Sequence, residues 1–180
     1  MFDVVEKEKL LDAINIDLKF MDDKRYRDIN GGHLKPVLDN IERIWKSPNR
    51  ILLEVINLVI PGENDKTNDF KEISDFLYQV SPDIPLHFSR FYPQYKMSNK
   101  KPTDLRKLVE AKKIAESTGL RYVYIGNTQI PDANNTYCPN CKYLLIERYG
   151  YNISKNVFRN YPKDKKPICP QCGFEINIVI

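Results

Sequence analysis

No apolar stretch of this 180-residue chain approaches the roughly 20 residues that a membrane span requires. The longest, Ile51 to Ile60, is interrupted by Glu54 and Asn57. The start, MFDVVEKEKLL, mixes acids with lysines and lacks the apolar core of a secretory signal, so the expectation is a soluble, cytoplasmic protein. A strong charge of one sign is missing too: the net charge is +4, too little to make the whole chain a nucleic-acid binder. Internal repeats and low-complexity stretches are absent. With 42% hydrophobic and 29% charged residues, the chain has enough apolar surface to bury a core and is not a disordered tail. Its length allows one ordinary domain and a small appendage.

Cysteine is scarce but ordered. The four cysteines form two C-P-x-C pairs, Cys138-Pro139-Asn140-Cys141 and Cys169-Pro170-Gln171-Cys172, the second followed at once by Gly173. Two intervening residues let both thiolates of a pair point at one ion, and four thiolates make the closed tetrahedral sulfur set that Zn²⁺ prefers in structural sites. A disulfide reading conflicts with the lack of an export signal. A redox C-x-x-C reading leaves the second pair unexplained. The 27 residues between the pairs exceed the common ribbon spacing, and Tyr143–Arg148 and Tyr151–Phe158 fill the gap as a hairpin turned at Gly150. A full set of four thiolates leaves no open coordination position for catalysis.

From Cys138 to Ile180 seven Lys or Arg face three acids, so the cysteine segment carries the whole +4 and the first 137 residues sum to zero. The run Lys163-Asp164-Lys165-Lys166 suits an acidic partner or a phosphate backbone, or is simply a solvated loop.

Upstream, Ile14 to Lys19 alternates apolar and polar residues as a strand does. Leu34, Val37, Leu38, Ile41, Ile44 and Trp45 share one helical face. The nearly continuous apolar run Ile51–Ile60 predicts a parallel strand buried on both sides, ended by Pro61-Gly62. A helix follows in which Asp69 and Glu72 are spaced as a capping box, then a strand over Ile84–Phe91 and a polar loop from Gln94 to Pro102. A second helix, capped by Thr103 and stopped by Gly119, with Leu105, Leu108, Val109 and Ala115 facing inward, precedes a last strand, Leu120–Ile125.

Strand alternating with helix predicts a parallel sheet, in which working residues sit at the C-terminal ends of strands. Asp17 and Lys19 share a face at the end of the first strand, His87 and Ser89 at the end of the third, and Asn57 lies within the second. An acid, a lysine and a histidine at one rim suit a small charged or hydroxyl-bearing ligand. Each also has a plainer reading: Asp17 as a cap or ion-pair partner, Lys19 as an edge residue reaching for water, His87 as a core histidine.

These residues recur in a series. Ile16-Asp17-Leu18-Lys19, Tyr26 with Gly31-Gly32, Val59-Ile60-Pro61-Gly62-Glu63-Asn64-Asp65, Pro85 to Phe91 with Tyr95-Lys96-Met97, Tyr122 to Asn127, and Asn135 to Cys141 follow one another in order. The series resembles the C-terminal half of the AmmeMemoRadiSam-system radical SAM enzymes, relatives of pyruvate formate-lyase activating enzymes. The resemblance runs from about residue 10 to the end. It implies the C-terminal half of a partial (β/α)6 barrel with parallel strands, over residues 1–130, followed by a zinc ribbon over 131–180. It also implies a [4Fe-4S] cluster that reductively cleaves S-adenosylmethionine (SAM) to a radical. That radical takes a hydrogen atom from a substrate, often a glycyl residue of a partner protein. The family's D-x-K motif, which contacts the SAM ribose and carboxylate, matches Asp17 and Lys19, and a histidine near SAM matches His87.

The family's cluster motif, C-x-x-x-C-x-x-C, is absent, and the four cysteines are all spoken for by the ribbon. The expectation is therefore a chain inactive by itself, whose cluster comes from an N-terminal radical-SAM half on another chain. The other readings are a standalone zinc-ribbon module binding protein or nucleic acid, and an inactive gene fragment.

Overall fold

A computed structural model describes residues 10–48, 51–162 and 165–178. Four parallel strands, β1 (Ala13–Asp17), β2 (Leu52–Val59), β3 (Leu86–Arg90) and β4 (Val123–Gly126), form one sheet in sequence order. The helices between them are α1 (Asp23–Asn30), α2 (Leu34–Lys46), α3 (Thr67–Val80) and α4 (Leu105–Thr118), with a short 3₁₀ turn at Tyr95–Met97. Three further strands, β5 (Thr136–Tyr137), β6 (Leu144–Tyr149) and β7 (Asn152–Asn156), form a small antiparallel sheet. The expected hairpin is present, with Gly150 at its turn in the left-handed region (φ 56°).

One face of the parallel sheet carries the main core. Leu53, Val55, Val59, Leu86, Phe88, Val123 and Ile125 pack there with Ile41 and Ile44 of α2, Phe70, Ile73 and Leu77 of α3, and Leu108, Ala111 and Ala115 of α4. The expectation that β2 is buried on both sides fails. Leu53, Val55, Asn57 and Val59 are buried, whereas the alternate residues Leu52, Glu54, Ile56 and Leu58 are half-buried. The second face is only partly covered, by the C-terminal unit, whose own core gathers Tyr122 with Cys138, Leu145, Ile146, Phe158, Cys169 and Ile176.

Two helix starts differ from those the sequence suggests. α3 begins earlier, so Asp69 is its third residue and accepts the Lys66 N–H (3.0 Å), the reach-back half of a capping box. For α4 the cap is Asp104, which accepts the Arg106 N–H (2.9 Å). Thr103 is buried instead, its hydroxyl donating to the Val59 carbonyl (2.6 Å) and accepting the Phe91 N–H (2.8 Å). Gly119 does end α4, in a left-handed conformation. The helix α1 has no counterpart in the sequence reading: its side chains are almost all polar and it buries only Tyr26.

Candidate functional site

The two cysteine pairs fold as matching knuckles. In the first, Cys138 N–H donates to Tyr143 O (2.9 Å) and Lys142 N–H to Cys138 O (3.0 Å). In the second, Cys169 N–H donates to Phe174 O (2.8 Å) and Gly173 N–H to Cys169 O (2.9 Å). The residue after each second cysteine takes the left-handed conformation, Lys142 at φ 61° and Gly173 at φ 74°. The knuckles face each other so that the four sulfurs lie within 4.8 Å of one another. Two cross-knuckle pairs, Cys138–Cys172 and Cys141–Cys169, are each 3.7 Å apart.

That spacing decides between chemistries. A disulfide needs about 2.0 Å between sulfurs. A tetrahedral ion with metal–sulfur bonds near 2.3 Å needs about 3.8 Å. An iron–sulfur cubane places separate irons under its thiolates and holds them farther apart. The four sulfurs fit a single tetrahedral ion. Backbone donation from Phe174 and the Asn140 amide, 3.5 Å from Cys172 Sγ, pulls the Cys172 thiol down to about 6. Burial raises Cys138, and, against donation from the Tyr143 backbone, burial with the neighbouring sulfurs pushes Cys141 up to about 12.

The second set of candidates lies on the half-buried sheet face. Register places Asp17 beside Ile56, Ile56 beside His87 and His87 beside Tyr124, so these four form one row across the sheet. Asp17 and His87 are two strands apart, about 10 Å at the backbone. The row is not at the rim, because β2 and β3 run on past it to Val59 and Arg90. Ser89 lies one row further along, beside Leu58 and Gly126.

The end of β1 is held from three sides. Tyr26 donates its hydroxyl to Asp17 O (2.9 Å), and the Asn57 and Asn64 amides donate to Lys19 O (3.2 and 2.6 Å). Asn57 is thus on the core face, a clamp rather than a rim residue. The clamped backbone projects the Lys19 ammonium to 3.7 Å from Asp17 Oδ2, with 57% of the Asp17 side chain exposed. Both groups keep open hydrogen-bonding positions.

His87 has partners the sequence reading missed. Its Nε2 is 3.3 Å from Glu54 Oε2, an ion-pair distance off the line of a hydrogen bond, and the nitrogen is buried without an aligned partner. Its ring stacks on Tyr124 (centroids 5.0 Å apart). Tyr124 shares a hydrogen bond with Thr136 (3.0 Å), and Arg148 of β6 sits over the Tyr124 ring. Contact with His87 holds the Glu54 carboxyl below its usual range, against burial and with help from the Arg148 charge. Burial raises Tyr124 and pushes Tyr122 up to about 12. Glu54, a charge inside an apolar strand, was the visible signal. Nothing in the sequence linked Tyr124 and Arg148 to it. Of the basic run after Tyr161, Lys163 and Asp164 lie outside the described residues, and Lys166 pairs with Glu175 (2.9 Å). No described helix is long and apolar enough to cross a membrane.

No family model matches the chain. The chain is 40% identical, over 181 aligned positions, to an uncharacterized protein of Methanocaldococcus jannaschii; the match takes in 98% of the chain and 52% of that protein. It therefore spans about half the length of this relative. Among solved structures it is similar to a domain of pyruvate-formate lyase-activating enzyme from Bacteroides vulgatus, with a TM-score of 0.57 and 20% identity, over 69% of this chain and 72% of that one. That likeness is one of fold: an α/β architecture with a parallel sheet like that of an activating-enzyme domain.

Proposed function

We propose that the chain is the SAM-binding and ribbon-bearing part of a cytoplasmic radical SAM enzyme of the glycyl-radical-activating type. In this reading the ribbon holds zinc, a cluster-bearing radical-SAM segment outside these 180 residues completes the site, and a glycyl residue of a partner protein is the substrate class. The observation that carries it is on the half-buried sheet face, where Asp17 and Lys19 stand together and His87 lies level with Asp17 two strands away, in a fold like that of an activating-enzyme domain.

The residue types suit the ligand. The Asp17 carboxylate accepts from paired ribose hydroxyls, the Lys19 ammonium neutralises the methionyl carboxylate, and His87 lines the same face. When bound, SAM and a reduced [4Fe-4S] cluster supply a 5′-deoxyadenosyl radical. The cluster does not fit this chain's own thiolates: all four cysteines converge at the spacing of a single ion. Four free thiolates also suit a reducing, cytoplasmic setting.

The test is co-purification with a separately expressed cluster-bearing radical-SAM segment, followed by 5′-deoxyadenosine assay under reductant. The pair should cleave SAM and the single chain should not, and D17N and K19M should each lower the yield at least tenfold. A pair that neither associates nor cleaves SAM, or a single chain that does, overturns the reading. Salt-sensitive retention of the chain on nucleic acid would instead favour a standalone ribbon module, to which the basic C-terminal segment and the exposed Tyr149 and Tyr151 would belong.

A further inference from the structure

Between the half-buried sheet face and the ribbon lies a cavity of about 350 Å³. Its walls include Leu52 and Glu54 of β2, His87 of β3, Tyr124 of β4, Arg148 of β6 and Ile176 near the end of the chain, but neither Asp17 nor Lys19. It is thus a separate space from the Asp17–Lys19 pair, and it exists only because the ribbon folds back over the sheet.

Its two charged groups come from different units and do not meet. Arg148 uses Nη1 on Asn134 O (3.0 Å) and Thr136 Oγ1 (2.8 Å). Among the described residues its Nε and Nη2 donors have no hydrogen-bond partner, and it forms no ion pair. Those two donors are the side-on fork that grips a carboxylate with two parallel bonds. Glu54, on the sheet side, turns Oε2 toward His87, and among the described residues its Oε1 has no hydrogen-bond partner. The Arg148 charge is close enough to act on Glu54, yet the ribbon tethers the guanidinium to Thr136 rather than to the carboxylate. The buried, unaligned His87 Nε2 is a further polar atom left without a partner at this wall. Leu52, Pro85, Ile176 and Ile178 supply an apolar floor, beside the polar Asn134, Thr136 and Asn177.

A guanidinium and a carboxylate kept apart over an apolar floor are what a zwitterion bridges, and the volume lies at the small end of ligand pockets, about 300–1,000 Å³. We infer that this cavity binds a hydrophobic α-amino acid, its carboxylate on Arg148, its ammonium on Glu54 and its side chain against Leu52, Pro85 and Ile176. The cavity shares His87 with the proposed SAM face, but its charged anchors, Arg148 and Glu54, have no part in SAM binding, so failure here would leave the proposed activity standing, and the reverse.

The experiment is titration calorimetry on the full 180-residue chain with L-phenylalanine, phenylacetate and 2-phenylethylamine. L-Phenylalanine should bind saturably, and each of the other two, lacking one charge, at least tenfold more weakly. R148M and E54Q should each weaken L-phenylalanine at least tenfold. Because R148M also removes ties within the ribbon, E54Q, on the sheet, carries the test if that variant fails to fold. Absence of saturable binding by L-phenylalanine, equal binding by either singly charged compound, or full affinity in E54Q overturns the inference.

Discussion

Lys142 and Gly173 occupy the same place in their knuckles and take nearly the same left-handed conformation, φ 61° and 74°. For a residue with a Cβ that conformation costs about 1–2 kcal/mol, and for glycine it costs almost nothing. Metal-loaded K142G should therefore be more stable than the parent by about 1 kcal/mol, and G173A less stable by a similar amount. Space does not confuse the comparison, since a Cβ at Gly173 would meet nothing within 4 Å. Thermal melts of the two variants beside the parent check the pair of signs, and a destabilising K142G would refute the account. At this scale the sequence was readable where one residue type serves one chemistry. Four cysteines at C-P-x-C spacing point to one ion, whereas Glu54 inside an apolar strand was a signal left unread. The glycine after the second knuckle was visible, but that Lys142 must adopt the same strained turn was not. The constraint comes from the shared hydrogen-bond pattern rather than from residue identity.

Among elements, strand and helix positions followed hydrophobic period, while ends and faces did not. α2 and α4 appear where the apolar stripes predict, because burying such a stripe stabilises a helix regardless of its partners. α1 was invisible because one buried tyrosine makes no stripe; its signals were the flanking Asp22, which accepts the Arg25 N–H (2.7 Å), and Gly31. β2 was misjudged because leucine and isoleucine on its second face are only half covered. Thr103 shows how a good capping residue can be taken for other work. Its hydroxyl satisfies the ends of two neighbouring strands, so T103V leaves the Val59 carbonyl and the Phe91 N–H unpaired in a buried place. Such orphaned groups cost about 1–3 kcal/mol. T103V should lower stability by about 2 kcal/mol in urea denaturation. A loss too small to measure would return Thr103 to the role of a surface cap.

At the scale of the whole molecule, the described residues form two cores, and the second contains Cys138 and Cys169, two of the four converging cysteines. In the proposed reading the ion is zinc, and structural zinc sites carry on the order of 10 kcal/mol of folding free energy. Chelation should therefore unfold residues beyond about 137 and spare the parallel sheet, whose core contains no cysteine. Amide hydrogen exchange before and after chelator, with metal analysis, checks this: one zinc per chain is expected, with protection lost from Cys138 onward and kept in β2 and β3. Three or four irons per chain would refute the single-ion assignment, and unchanged protection in the ribbon would refute its dependence on the metal.

What the sequence determined by itself was arrangement that depends on short spacing: the convergence of four sulfurs, the alternation of strand and helix, and the nearness of Asp17 and Lys19. Each is set by residues a few positions apart, where backbone geometry leaves little choice. The tertiary structure alone decided which distant side chains meet. Strand register set His87 level with Asp17 and beside Tyr124, and the return of the ribbon brought Arg148 over the Tyr124 ring and into the cavity that Glu54 also lines. Those meetings depend on how one strand slides against the next and how two cores pack together, and a one-residue slip would turn each of these side chains to the opposite face.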